Sequence, residues 1–161
     1  MSRKGEARHP HTFSLTKAPC DGNIVASMEV KLAVLADFAS ITREGKLNIL
    51  GIFDEMNPPK LPAQLPIFYV VVSYEAGPAE FETEKSTQIV VTDADGQVMI
   101  RLEQKIMVSR ASRPGTRSTM NQISGIVGFP FPKAGDHQFA ILIDGRKDTT
   151  IRLRVNEPKE S

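Results

Sequence analysis

The side chains that could do chemistry in this chain are few and far apart. His137 is the only histidine beyond residue 11, which makes it the candidate general base or ligand. Asp93, Asp95, Asp144 and Asp148 gather around two short turns, and carboxylate-rich loops at one end of a domain can hold a hard cation such as calcium. Lys105, Arg110, Arg113 and Arg117 form a basic run with no acid between them, and forked arginine donors suit phosphate or a carboxylate-rich partner. His9 and His11 near the N-terminus are a poor transition-metal site, because two imidazoles without further ligands would have to be ordered first.

Each of these signals has a plainer reading. No nucleophile, base and orienting group stand at a spacing that compels a reaction, so we expect no catalytic residues, no bound metal, no cofactor and no enzyme. In many β-sandwiches a Gly-x-Tyr-x-hydrophobic run opens the penultimate strand, its aromatic ring packed inward and its polar end bonded to the backbone near a corner. Gly135-Asp-His-Gln-Phe139 has that spacing, with His137 at the tyrosine position, and a structural role is expected for His137 and Phe139. Aspartates in Asp-Gly turns serve the local backbone, and two hairpins need not share an end of a sandwich. The basic run has the composition of a solvated loop; if an anionic partner binds anywhere, this is the expected place.

Composition narrows the partners further. Twenty basic and nineteen acidic side chains give a net charge of +1, so no whole-protein field draws nucleic acid or an anionic membrane to the chain. Single-strand binders add aromatic stacking platforms to their charge, and the basic run has none. Carbohydrate recognition is disfavoured by the absence of tryptophan and by two tyrosines confined to one strand with apolar residues on both faces. The lone Cys20 cannot form an internal disulfide, the first residues lack the apolar run of a signal peptide, and no run approaches the length of a membrane span. A soluble, cytoplasmic protein is the expectation.

Strands must position whatever the chain does. Val30, Leu32, Val34, Ala36 and Phe38 alternate without a break from Met28 onward, so the first strand is expected almost at that methionine. A turn at Gly45 leads to a second strand over Leu47 to Phe53. The four prolines between Asp54 and Pro66 predict a crossover loop. Ile67 to Tyr74 is apolar on both faces, as a strand in the middle of a sheet should be. Strands are expected over Ser86 to Thr92, from Val98 to Val108 after the Asp93–Gly96 turn, and over Ser118 to Val127. The Phe129 to Pro132 corner then opens the closing hairpin. There His137, Phe139, Ile141 and Ile143 share a face, Asp144-Gly145 reverses the chain, and Ile151, Leu153 and Val155 line the return. The whole predicts an all-β protein, a two-sheet immunoglobulin-like β-sandwich of about eight strands, with Gly45, Gly96, Gly135, Asp144 and Gly145 as turn residues.

Residues 1–27 mix basic residues, prolines and apolar residues at no period and are expected to be a disordered extension; the alternative is that translation starts at Met28. The sandwich is expected over 28–156 and a short tail over 157–161.

Val34 to Phe38, Gly45 to Phe53, Pro62 to Tyr69, Val91 to Gly96 and the Gly135 to Gly145 hairpin resemble a widespread bacterial family of unknown function, made of single sandwich domains. Lys46-Leu-Asn-Ile-Leu-Gly51 is the most specific part, and His137 departs from the aromatic usual at its position. The resemblance implies the fold and no activity. A non-catalytic module that binds an unidentified protein partner is the expected function; the alternative is a small-ligand or ion-binding domain using the acidic turns or the basic loop.

Overall fold

Extended backbone predominates in residues 27–159, the part of the chain that the computed structural model describes. It yields nine strands among the described residues: β1 (Glu29–Ile41), β2 (Leu47–Phe53), β3 (Glu55–Met56), β4 (Ala63–Ala76), β5 (Glu84–Thr92), β6 (Val98–Met107), β7 (Ser118–Phe131), β8 (Gly135–Ile143) and β9 (Arg146–Val155). A 3-10 turn, Pro78–Glu80, follows β4. The expected extension over 1–27 lies outside the described residues but for Ser27, and the expected tail is described as far as Lys159.

One sheet has the order β2-β1-β4-β7 and the other β3-β9-β8-β5-β6. Neighbours are antiparallel except β3 with β9. The two sheets press one apolar face each into a common core. Leu35, Phe68, Val70, Val72, Ile126 and Phe131 enter from the four-stranded sheet, and Ile89, Val91, Phe139, Ile141 and Leu153 from the other. Each is worth on the order of 1.5–3 kcal/mol when fully buried. Phe68 is the hub, with Phe53, Phe129 and Phe139 arranged edge-on around it at centroid separations of 6.2, 6.1 and 5.9 Å. Further along β4 a buried polar bridge crosses the core: the Tyr74 hydroxyl donates to Gln122 Oε1 at 2.8 Å, and Thr87 Oγ1 of the opposite sheet lies 3.0 Å from the same oxygen.

The closing hairpin has the expected register. His137, Phe139, Ile141 and Leu153 are fully buried, and Asp144 and Gly145 both adopt positive φ, 49° and 78°, as a two-residue turn matched to the right-handed twist requires.

Two expectations are corrected. The alternation in β1 is broken by a bulge between Val30 and Leu32, where the Val30 amide turns to Asp148 Oδ2 at 2.8 Å. Leu35 therefore faces the core, whereas Leu32 and Phe38 are exposed. The proline-rich crossover is also shorter than expected, because β4 begins at Ala63 and runs through Pro66. β1 pairs with β4 only as far as Tyr69, so among the described residues the first part of β4 has one unpaired side, where proline is tolerated.

Candidate functional site

His137 is completely buried, its ring edge-on to Phe131 at 5.2 Å, and its Nδ1 lies a long 3.4 Å from the Gly135 carbonyl. Nε2 has no partner. A ring so enclosed reaches neither solvent nor a reactive neighbour, and it fills the inward aromatic position that the Gly135 to Phe139 spacing implies, without a corner bond from Nε2.

The four aspartates are divided between opposite ends of β5. Asp93 and Asp95 follow its last residue, whereas Asp144 donates its amide to Ser86 near the first. Each carboxylate has a local task. Asp93 Oδ1 accepts the amides of Asp95 and Gln97 at 2.9 and 2.8 Å, Asp144 Oδ1 accepts that of Ser86 at 3.0 Å, Asp148 anchors the β1 bulge, and Asp95 pairs with Lys133. Among the described residues no group of three or more His, Cys, Asp or Glu could hold a metal. His9, His11 and Cys20 lie outside the described residues.

The basic run is threaded with acids from elsewhere in the chain. Arg110 forks onto Glu82 at 2.8 and 2.6 Å, Lys105 pairs with Glu84 at 2.8 Å, and Arg117 reaches both Glu29 and Glu75 at 2.9 and 3.1 Å. The paired guanidinium holds the Glu82 carboxyl below its ordinary range, and Glu84 raises Lys105. Arg113 makes no ion pair among the described residues. Sequence spacing hid these pairings, since each glutamate lies outside the run.

The least expected feature is the outer face of the four-stranded sheet. Of nine large apolar side chains exposed among the described residues, seven belong to this sheet and only Val98 and Met107 to the other. Five of the seven gather around Tyr69. Its ring lies over Gly125, where a Cβ would stand 3.3 Å from Cε1, and meets the Phe38 ring edge-on at 6.0 Å. Around this pair stand Leu50, directly opposite Phe38; Ile52, opposite Ala36; and Ile67 and Val127, opposite each other. Leu50, Ile52 and Val127 are 68%, 62% and 75% exposed. Below them, Ala36 and Val71 are buried in a small second cluster with Ile49, Tyr69 and Ile123.

The outer face of the five-stranded sheet is the reverse. Arg101, Glu103, Gln138, Arg152 and Arg154 project from it into solvent, as expected where an antiparallel sheet faces water on one side. The apolar face was partly legible: Ile67 to Tyr74 and Leu47 to Phe53 carry apolar residues at both odd and even positions, one set more than a single core can take. Elsewhere, a groove of about 630 Å³ opens between β1, β2 and β9, lined by Leu35, Ile52, Phe53, Ile151 and Arg152 among others. It brings together no catalytic set. No helix among the described residues is long and apolar enough to cross a membrane.

Over residues 31–156 the chain matches a family of unknown function, DUF6941, and it belongs to that family. No curated protein matches it. Among solved structures it is similar to an immunoglobulin-like protein from Pseudomonas aeruginosa, with 13% identity, a TM-score of 0.39, and coverage of 83% of this chain and 99% of that one.

Proposed function

We propose that this chain is a non-catalytic protein-interaction module that docks through the Tyr69-centred outer face of its four-stranded sheet. The observation that carries this reading is the row of Leu50, Phe38, Ile67 and Val127, all large, apolar and about half exposed or more, on a sheet whose counterpart is covered with charge. Contiguous apolar patches of several hundred Å² are uncommon on soluble monomers and mark interaction surfaces. Tyr69 and Phe38 supply the rigid aromatic centre around which binding energy concentrates in such interfaces. The basic loop is a weaker docking site, because glutamates already occupy three of its four cations. A cytoplasmic location belongs to the same reading and rests on the single cysteine, which suits a reducing compartment.

Affinity capture from lysate of the source organism tests it, with the full chain, a Phe38→Ser/Leu50→Ser variant and an Arg110→Ser/Arg113→Ser/Arg117→Ser variant compared at equal salt. The reading requires that specific partners be lost with the first variant and kept with the second. Partners that survive the apolar substitutions and disappear with the arginines would move the binding site to the basic loop.

A further inference from the structure

The same face has a chemistry that selects its partner. Phe38, Leu50, Ile52, Ile67 and Val127 together leave on the order of 500 Å² in water, at the upper end of what a monomer shows and most of the roughly 800 Å² per partner in a standard interface. None of these residues is charged, and neither Tyr69 nor Gly125 between them adds a charge. A charged or strongly polar partner would have nothing to pair with here. A two-fold contact between identical surfaces brings every group against its own kind, which is costly for charges and harmless for this row. Shape points the same way, since one twisted sheet face is complementary to another when the two stack about 10 Å apart with strands inclined by roughly 30°.

We infer that the occupant of this face is a second copy of the same chain. Two protomers stack outer face to outer face, with Tyr69 of each near the two-fold axis, into a four-layer dimer. The net charge of +1 leaves little repulsion to oppose it. This inference rests on the reading of the face as a docking surface and adds the identity of what docks.

Sedimentation equilibrium on the full chain, between roughly 1 and 200 μM, tests it in the range where a contact of this area is measurable. A concentration-dependent dimer is expected, and Leu50→Ser/Val127→Ser is expected to weaken it by about 30-fold or more, as loss of central apolar contacts does. Both substituted side chains are largely exposed, so the variant should keep its circular dichroism spectrum. Hydrogen exchange supplies an independent reading that needs no variant: protection should rise with concentration over residues 47–53 and 123–127. A monomer throughout the range, or a dimer untouched by the variant, would overturn the inference. In the first case the face-dependent capture described above still decides whether the face binds a different protein.

Discussion

Phe68 and Phe139 meet edge to face across the gap between the two sheets, ring centroids 5.9 Å apart and planes at 85°. Both are fully buried, and each comes from the middle of its own sheet, so this contact ties the sandwich together at its centre. Phe139→Ala is expected to cost about 3–5 kcal/mol through lost transfer energy and an unfilled cavity. Urea unfolding of the variant and the parent checks this; a loss below about 1 kcal/mol would mean that the site collapses freely.

Tyr74 makes stability sensitive to alkali. Burial pushes its phenol up from 10.0 to about 12, against the hydrogen bond with the Thr87 hydroxyl and with a further push from the Asp148 charge. The folded state thus holds the phenol proton between pH 10 and 12 while the unfolded chain releases it. The contribution of Tyr74 is whole below pH 10 and falls by up to about 2–3 kcal/mol as pH rises to 12. Tyr74→Phe should remove this part of the alkaline slope and cost about 1 kcal/mol at neutral pH for the bond to Gln122. Identical alkaline profiles for the two proteins would contradict the assignment.

His137→Phe is expected to leave stability unchanged or raise it. The substitution keeps a ring against Phe131 and removes Nε2, a buried polar atom with no partner among the described residues. His137→Ala, by contrast, opens a cavity and should cost about 2–4 kcal/mol. Thermal melts at neutral pH separate the two, and a phenylalanine variant several degrees less stable than the parent would show that Nε2 has a partner after all.

The Arg110→Ser/Arg113→Ser/Arg117→Ser variant should melt within a few degrees of the parent. Its ion pairs to Glu82, Glu29 and Glu75 are exposed or half-exposed, and such pairs are worth about 0–1 kcal/mol each. Its self-association should also match the parent, because the loop is separate from the Tyr69 face. A marked drop in melting temperature would mean that the Arg117 bridge between Glu29 and Glu75 holds β1 to β4.

What the sequence made legible follows the physics of alternation. Where one strand face enters a core and the other meets water, as in Gly135 to Val155, period and turn chemistry set the register, and the buried positions of His137, Phe139 and Leu153 could be read directly. The Leu32 and Phe38 face of β1 could not, because a bulge adds one residue without any signal in composition and turns every later side chain over. The Tyr69 face was obscured for another reason. An apolar residue on the second face of a central strand reads the same whether a second core or open solvent lies beyond it. The ion pairs of Arg110 and Arg117 join residues 28 to 88 positions apart, a distance at which a charge run in the sequence carries no information about its neighbours.

The order of strands in the two sheets also dictates when the protein can fold as it is made. β4, apolar on both faces, gains its second neighbour only when β7 has been synthesised, since Val71 pairs with Ile123. β5 waits equally long for β8, through Ile89 and Ile141. While the ribosome adds the intervening fifty or so residues, at about 5–20 residues per second, β4 stands with an open edge for several seconds. An open apolar edge is the aggregation-prone element during that interval, and an isolated refolding chain faces slow, long-range strand pairing in competition with aggregation.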